Sequence, residues 1–286
     1  MVHGHHNRPG APGVRDTTTE FPPVHIVGPV DSPRSSTLVA GLNTLGVSWT
    51  MTGGPEPGST AWLRDVVVDQ STAITLERRP LVTGEIAAVL AHRRAVAAAT
   101  ATDQEWTIFL EDDAELLPGF VEACVRAARI RSSTPTVVLL YRDAQTVCRP
   151  LPRSGHGTLR ATIAPPQGAV GYLLNRASVS GFPISGPITG VADWPYPWSN
   201  RQQFLQVRPG VVTTGSQLSL IGYPRQVTWQ QTDEPMIRRV ARIATTVTGM
   251  RYLKYRASYG TWRDYRAREF GRLASALLGH HPGRRR

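Results

Sequence analysis

The run Trp106-Thr107-Ile108-Phe109-Leu110, followed directly by Glu111-Asp112-Asp113, decides the fold of this chain. A continuous apolar and β-branched run without polar alternation is typical of a central strand that is buried on both faces. In open α/β sheets, ligands bind beyond the carboxyl ends of the strands. The sequence therefore predicts a buried strand whose end carries three carboxylates into a binding site.

Patterns on either side extend this strand into an alternation of strands and helices. Further strands are predicted at Val24 to Val27, Ala73 to Leu76, Val137 to Tyr141 and Leu159 to Ala164. Helices are predicted at Ser35 to Leu45, Thr83 to Val96, Pro118 to Ile130 and Tyr172 to Gly181. Strands that alternate with helices favour an α/β fold with a mainly parallel sheet.

The 286 residues divide by composition into three parts. Residues 1–22 are rich in Gly, Pro, Thr and His, and they are predicted to be a disordered leader. Residues 23–234 have the apolar content of one globular domain, and residues 1–234 together carry 19 basic and 19 acidic side chains. Residues 235–286 carry 13 basic and 2 acidic side chains, so the net charge of +11 lies entirely in this tail.

The basic tail is predicted to form amphipathic helices. On a helical wheel, Ile237, Val240 and Val247 share one arc, whereas Arg238 and Arg242 lie opposite. This separation is typical of a helix that docks on an anionic membrane surface. A helical pair packed on the domain is the alternative, and nucleic-acid binding is disfavoured because the apolar and basic faces are segregated.

The sequence also predicts where the protein works. No stretch reaches the roughly 20 apolar residues of a membrane span, and the N-terminal residues lack the apolar centre of a signal peptide. Two cysteines, Cys124 and Cys148, are too few for a disulfide framework. We therefore expect a cytoplasmic protein that its tail holds peripherally at the inner face of the plasma membrane.

The three adjacent acids repel one another, so a cation is expected beside them. Mg²⁺ or Mn²⁺ suits such a site, because these ions are held by one or two carboxylates and completed by substrate phosphates. Strand alternation places Glu111 and Asp113 on one side as ligands, with Asp112 as a further ligand or as a supporting acid. The alternative is an acidic helix start that Asp112 or Asp113 caps.

Two further segments are candidates for contacts with a bound ligand. Glu85 and His92 lie seven residues apart on one helix face and can both look into one cleft; the alternatives are a partner of the helix dipole and a half-buried histidine. Gly168 and Gly171 precede a predicted helix, where backbone N–H groups can approach a phosphate or a sugar. The alternative for them is a loop with turn glycines.

Asp193 lies in a proline-stiffened segment that also contains Trp194, Tyr196 and Trp198. Aromatic faces that flank a carboxylate suit a sugar acceptor, because the rings stack on the pyranose and the acid takes a hydroxyl proton. Asp193 is therefore the candidate base. The alternative is a surface loop whose tryptophans pack on the core.

Two of these segments together resemble the signature of glycosyltransferase family 25, which includes lipopolysaccharide-biosynthesis and collagen galactosyltransferases. The first is Leu81 to Val96, with Thr83-Gly84-Glu85-Ile86 and His92, and the second is Trp106 to Phe120, with Leu110-Glu111-Asp112-Asp113. Gly168 to Ser178 and Ala192-Asp193-Trp194 are similar to later stretches of the family. The resemblance covers residues 24 to 222, although the first loop keeps only Arg34 of an arginine pair and the family's Ser is Ala91.

The resemblance implies a GT-A-like nucleotide-sugar fold. The implied activity is inverting transfer of a hexose, galactose in many members, from a UDP-sugar to a cell-envelope or lipid-linked glycan acceptor. In that scheme Glu111, Asp112 and Asp113 hold the divalent cation, Asp193 is the base and Glu85 is the reserve base. The alternative is a catalytically degenerate fold that binds a membrane or nucleic acid through its Arg-rich tail.

Overall fold

The computed structural model describes residues 21–56, 58–77, 79–141, 148–150, 159–162, 168–195 and 197–215. The strands are β1 (Val24–Gly28), β2 (Trp49–Gly53), β3 (Trp106–Glu111), β4 (Ala114–Leu116), β5 (Thr136–Leu139), β6 (Cys148–Pro150), β7 (Leu159–Thr162), β8 (Gly171–Asn175), β9 (Gln203–Val207) and β10 (Val212–Thr214). The helices are α1 (Ser36–Thr44), α2 (Gln70–Glu77), α3 (Thr83–Thr100), α4 (Phe120–Ala128) and α5 (Arg176–Ser180). The predicted tail, residues 235–286, and residues 1–20 of the predicted leader lie outside the described residues.

Eight strands form one mixed sheet in the order β2-β1-β3-β8-β5-β9-β7-β6. Strand β1 is parallel to β2 and β3, and β5 is parallel to β9, whereas β8 and β7 are antiparallel to their neighbours. Within the described part of the chain, six of the eight strands therefore run in one direction, and β7 and β8 oppose them. The α/β prediction is confirmed. Strands β4 and β10 form a separate antiparallel pair.

Strand β3 lies inside the sheet, as its apolar run predicts. Ile108, Phe109 and Leu110 are fully buried, because the strand pairs with β1 on one side and β8 on the other while other elements cover both faces. The helices predicted around Ser35, Thr83 and Pro118 are confirmed as α1, α3 and α4.

The strand predicted at Ala73 to Leu76 is wrong, since these residues belong to helix α2. Asp69 explains the difference. Its Oδ1 accepts a hydrogen bond from the backbone N–H of Thr72 at 3.0 Å, and its carbonyl accepts one from Ala73 at 3.0 Å. This N-cap starts a helix, and a four-residue apolar run cannot by itself distinguish a strand from a buried helix turn.

The helix predicted at Tyr172 to Gly181 is also wrong over its first half. Residues Gly171–Asn175 form β8, which is buried along its whole length between β3 and β5. Only Arg176–Ser180 is helical, and the side chain of Asn175 caps it by accepting the N–H of Ser178 at 3.0 Å. The tertiary environment of the sheet decides this segment.

The predicted leader also ends earlier than its composition indicates. Phe21 is partly buried against the core, and its ring centroid lies 6.3 Å from that of Phe120. The packed domain therefore includes Phe21, two residues before the expected boundary.

The strand directions bring the candidate residues to one edge of the sheet. Because β1, β2 and β3 are parallel neighbours, their carboxyl ends lie side by side. Strand β8 runs in the opposite direction, so the residues that precede it, including Gly168, reach the same edge. None of the helices in the described ranges is both long enough and apolar enough to cross a membrane.

Candidate active site

Asp112 lies at the end of β3 and is buried against the end of β1. Its backbone N–H donates to the carbonyl of Val27 at 3.0 Å, and its Oδ2 accepts the hydroxyl of Ser32 at 2.6 Å. A Cβ at Gly28 would lie 2.7 Å from the Cβ of Asp112, a distance that real Cβ atoms essentially never show. Because glycine has no side chain, position 28 allows the close approach of Asp112 to the end of β1.

Arg34 supplies a cation beside the acids from within the chain. Its Nη2 donates to Oδ2 of Asp113, and its Nη1 lies 3.5 Å from Oδ1 of Asp112. This guanidinium therefore partly neutralises Asp112 and Asp113, two of the three acids beside which a cation was expected. The Nε of Arg34 is itself buried and has no hydrogen-bond partner among the described residues.

Negative charge at this edge nevertheless exceeds what Arg34 neutralises. Burial raises the pKa of Asp113, and the nearby charges of Glu111 and Asp112 raise it further, whereas Arg34 lowers it only in part. Because burial and like charges outweigh one guanidinium, the cluster favours an additional positive charge.

Glu111 and His92 meet although they come from different elements. His92, on α3, is 2% exposed, and its Nε2 lies 3.2 Å from Oε1 of Glu111, at the end of β3. The Nδ1 of His92 lies 2.8 Å from the hydroxyl of Tyr172, on β8. His92 was predicted to look into a cleft together with Glu85, with a half-buried histidine as the alternative, and the structure places it beside Glu111.

Asp193 reaches the same edge from a loop. Its Oδ2 accepts the backbone N–H of Gly168 at 2.8 Å. Burial raises the pKa of Asp193 to about 6, and the charge of Glu111 contributes to this rise, while the Gly168 N–H opposes it. Gly168 adopts a φ of +82°, and its carbonyl accepts the hydroxyl of Tyr141. The backbone N–H of Gly168 therefore binds the candidate base Asp193, so this N–H is not free for the phosphate or sugar contact that was predicted for it.

Glu85 takes a different role from the one its motif indicates. It is 2% exposed, and both its carboxylate oxygens accept hydrogen bonds from the guanidinium of Arg79. Oε2 also accepts the backbone N–H of Val82 at 3.0 Å. Glu85 therefore anchors the first turn of α3, seven residues from His92 along the helix.

Gly171 lies within the sheet and not in a phosphate-binding loop ahead of a helix. It is buried as the first residue of β8. A Cβ at this position would lie 3.0 Å from Cγ1 of Val212 and 3.1 Å from Cδ2 of Leu110. Close packing between neighbouring strands accounts for this glycine.

The two tryptophans near Asp193 belong to the core. Trp198 is 4% exposed, and its Nε1 donates to the carbonyl of Ser178 at 3.0 Å. Trp194 is 9% exposed, and its ring meets Tyr172 and Phe204 edge-on at 5.2 Å and 5.1 Å. Packing on the core, the alternative to a sugar platform, is therefore correct for both rings, and Tyr196 lies outside the described residues.

Sequence patterns did not identify Ser32 and Tyr172 as site residues. Ser32 lies 80 positions before its partner Asp112, and Tyr172 lies 80 positions after His92. Tyr172 is part of an apolar run that is indistinguishable from ordinary core. The only local signal is the Ser-Pro-Arg turn that carries Ser32 and Arg34 after β1.

Among the residues that the structure describes, no three His, Cys, Asp or Glu side chains are arranged as a complete metal site. Neither protein-family models nor curated proteins match the chain. Function is therefore inferred from the side chains at this edge.

Proposed function

We propose that the protein is a glycosyltransferase with a GT-A-like fold that transfers a hexose, galactose by preference, from a UDP-sugar to a glycan acceptor with inversion. One observation carries the proposal: Glu111, Asp112, Asp113 and Asp193 gather at the carboxyl edge of a mostly parallel sheet. Ligands of α/β sheets bind at such edges. The resemblance of the same residues to glycosyltransferase family 25 supports this choice.

Glu111 and Asp113 fit a divalent cation, Mn²⁺ or Mg²⁺. Oε2 of Glu111 has no hydrogen-bond partner within the described ranges, and the carboxylate of Asp113 contacts Arg34 and its own backbone N–H. Two carboxylates completed by diphosphate oxygens are a usual environment for these ions, so three protein ligands are not required. When bound, the cation neutralises the charge that develops on the departing diphosphate.

Asp112 and Arg34 then bind and orient the donor. Asp112 is held by Ser32 and Arg34, so it supports the loop after β1. The guanidinium of Arg34, whose side chain is 13% exposed, is a positive charge beside Asp113 that can attract a diphosphate. His92 supports this donor site through Glu111.

Asp193 is the proposed base. A carboxylate whose pKa is about 6 is mostly ionised at neutral pH and is more basic than an exposed one. It takes the proton of the acceptor hydroxyl while that oxygen bonds to the anomeric carbon and the bond to UDP breaks on the opposite face. Glu85 is not assigned this step, because Arg79 and Val82 engage its carboxylate.

A second candidate is a degenerate transferase fold that only binds a membrane or nucleic acid through its tail. The pairing of Arg34 with both Asp112 and Asp113 favours it, because an internal cation makes an external one less necessary. For the transferase we propose a cytoplasmic protein that acts at the inner face of the plasma membrane, where the acceptor is lipid-linked.

Calorimetric titration with UDP-hexoses, with Mn²⁺ or with EDTA, tests the proposal. The wild type should bind UDP-galactose at least about tenfold more tightly with Mn²⁺, and Asp113→Asn should abolish that difference because it removes a ligand charge. Asp193→Asn should keep donor binding and lose transfer to a glycan acceptor, by about 10²-fold or more. Asp103→Asn is the matched control, because the Asp103 side chain is 95% exposed.

Two outcomes contradict the assignment. Binding that is the same in Asp113→Asn and the wild type would remove Asp113 from the metal site. A wild type that binds none of the UDP-hexoses under either condition would favour the degenerate fold.

A further inference from the structure

Three side chains from three elements form a continuous hydrogen-bonded series. Tyr172 from β8 contacts His92 from α3 at 2.8 Å, and His92 contacts Glu111 from β3 at 3.2 Å. Tyr172 and His92 are each 2% exposed, whereas the Glu111 side chain is 28% exposed. The series therefore runs from the core of the sheet to its surface edge.

The direction of each hydrogen bond follows from the chemistry of the groups. An ionised Glu111 can only accept, so Nε2 of His92 carries the hydrogen that it donates. The buried Tyr172 hydroxyl stays protonated, because burial and the charges of Glu111 and Asp193 raise its pKa well above the usual value. It donates to Nδ1 of His92, which leaves Nε2 as the ring nitrogen that donates to Glu111.

The surrounding rings leave little room for the series to rearrange. Tyr172 is stacked on His92 with centroids 5.9 Å apart and on Phe109 with centroids 5.3 Å apart. Trp194 covers the edge of Tyr172 at 5.2 Å. A glutamate at an exposed strand end otherwise loses rotamer entropy when it is ordered by a ligand. Here the packed His92 already holds one of its carboxylate oxygens, Oε1, through a hydrogen bond.

We infer that Tyr172 and His92 are positioning residues that orient Glu111, so that Oε2 is the oxygen available to a divalent cation at this edge. The inference rests on the proposed function. Hydrogen-bond partners behind metal ligands commonly change metal affinity by 10–100-fold when they are removed. Tyr172 acts only through His92, and His92 acts only through Glu111.

Electron paramagnetic resonance of free Mn²⁺, titrated with the full chain and UDP, measures the effect directly. Tyr172→Phe keeps the packed ring and removes the hydroxyl, so Mn²⁺ affinity should fall about 10-fold. His92→Leu should lower it about 10- to 100-fold. His92→Gln should recover most of that loss, because its amide N–H can replace the donor at Nε2.

Ser178→Ala is the matched control. Ser178 is fully buried and donates to the carbonyl of Thr136 at 3.0 Å, so its loss also removes a buried hydrogen bond. Its Mn²⁺ affinity should equal that of the wild type, and thermal unfolding should show that all four variants fold.

The outcomes separate the two proposals. If the wild type binds Mn²⁺ but Tyr172→Phe and His92→Leu bind it equally well, or if His92→Gln is no better than His92→Leu, the positioning role is wrong and the proposed function stands. If the wild type with UDP does not bind Mn²⁺, the metal-dependent function fails, and the positioning role fails with it.

Discussion

At the residue scale, burial gives Asp193 a property that its position in the sequence does not reveal. Its pKa is about 6 in the folded protein, against an ordinary value of 3.8. Between these pH values the folded state binds more protons than the unfolded state. The contribution of Asp193 to stability is therefore most favourable below the unfolded pKa, and it is lost as pH rises through the folded pKa.

We predict that Asp193→Asn becomes progressively more stable than the wild type as pH rises. Since asparagine never ionises, the variant avoids burying a charge, and its relative free energy of unfolding should rise by about 2 kcal/mol between about pH 4.5 and about pH 7.5. Urea unfolding at several pH values measures this difference. Asp103→Asn should show almost none, and a pH-independent difference for Asp193→Asn would contradict the raised pKa.

Gly28 provides a second prediction at the scale of one residue. In Gly28→Ala the new methyl group would lie 2.7 Å from the Cβ of Asp112. Asp112 must therefore move, and it loses its hydrogen bond from Ser32. We expect a loss of about 1–3 kcal/mol of unfolding free energy together with weaker Mn²⁺ binding.

Gly41→Ala is the control for Gly28→Ala. Gly41 lies inside α1, where the new Cβ would make an ordinary contact of 3.5 Å with Leu116. Alanine should therefore stabilise the protein by up to about 1 kcal/mol. If the two substitutions change stability and Mn²⁺ binding equally, the close contact between Asp112 and Gly28 does not matter for either property.

At the scale of elements, α3 connects a structural anchor to the site. Its first turn is held by Glu85 and Arg79, and its middle carries His92. Local spacing predicted this helix well, because the apolar period and the early acidic residue are properties of neighbouring residues. Local spacing could not predict the partner of Glu85, since Arg79 lies outside the helix.

We predict that Glu85→Gln destabilises the protein without changing donor binding. The substitution removes the negative charge that the guanidinium of Arg79, whose side chain is 31% exposed, contacts through both of its terminal nitrogens. A loss of about 2 kcal/mol is expected, somewhat less than for a fully buried pair. Glu122→Gln, in the exposed first turn of α4, should change stability by less than about 1 kcal/mol. If Glu85→Gln instead loses UDP-galactose binding and keeps its stability, Glu85 belongs to the donor site and the structural role is wrong.

At the scale of the whole molecule, charge is distributed unevenly along the chain. Residues 235–286 carry 13 basic and 2 acidic side chains, whereas residues 1–234 carry 19 of each sign. Basic residues near an anionic lipid surface contribute about 1 kcal/mol each to binding. We therefore predict that residues 235–286 bind an anionic membrane surface, where the proposed acceptor is lipid-linked.

Vesicle flotation tests this prediction. The full chain should float with vesicles that contain phosphatidylglycerol at low salt and dissociate as salt rises, because the attraction is screened. A chain that ends at Asp233 should stay at the bottom of the gradient, and vesicles of phosphatidylcholine alone should carry neither. Equal flotation of both chains, or RNA binding by the full chain without flotation, would contradict the membrane role.

The sequence by itself determined the strand at Trp106 to Leu110, the acids that follow it, the long helix that carries His92 and the basic tail. These features depend on residue type and short-range period, which are local quantities. The α/β class followed because it needs only their alternation. The patterns of α2 and β8 are also local, but they are ambiguous, and both segments were predicted wrongly. The cap at Asp69 makes α2 a helix, and burial between β3 and β5 makes β8 a strand.

Only the tertiary structure decided which side chains meet. Arg34 lies 79 positions from Asp113, and Tyr172 lies 80 positions from His92. Strand order and register bring such pairs together, and a shift of one residue in register would turn Phe109 and Tyr172 to the opposite face. The candidate site is therefore present in the sequence as separate residues, and strand pairing with burial decides which of them are in contact and how exposed they are.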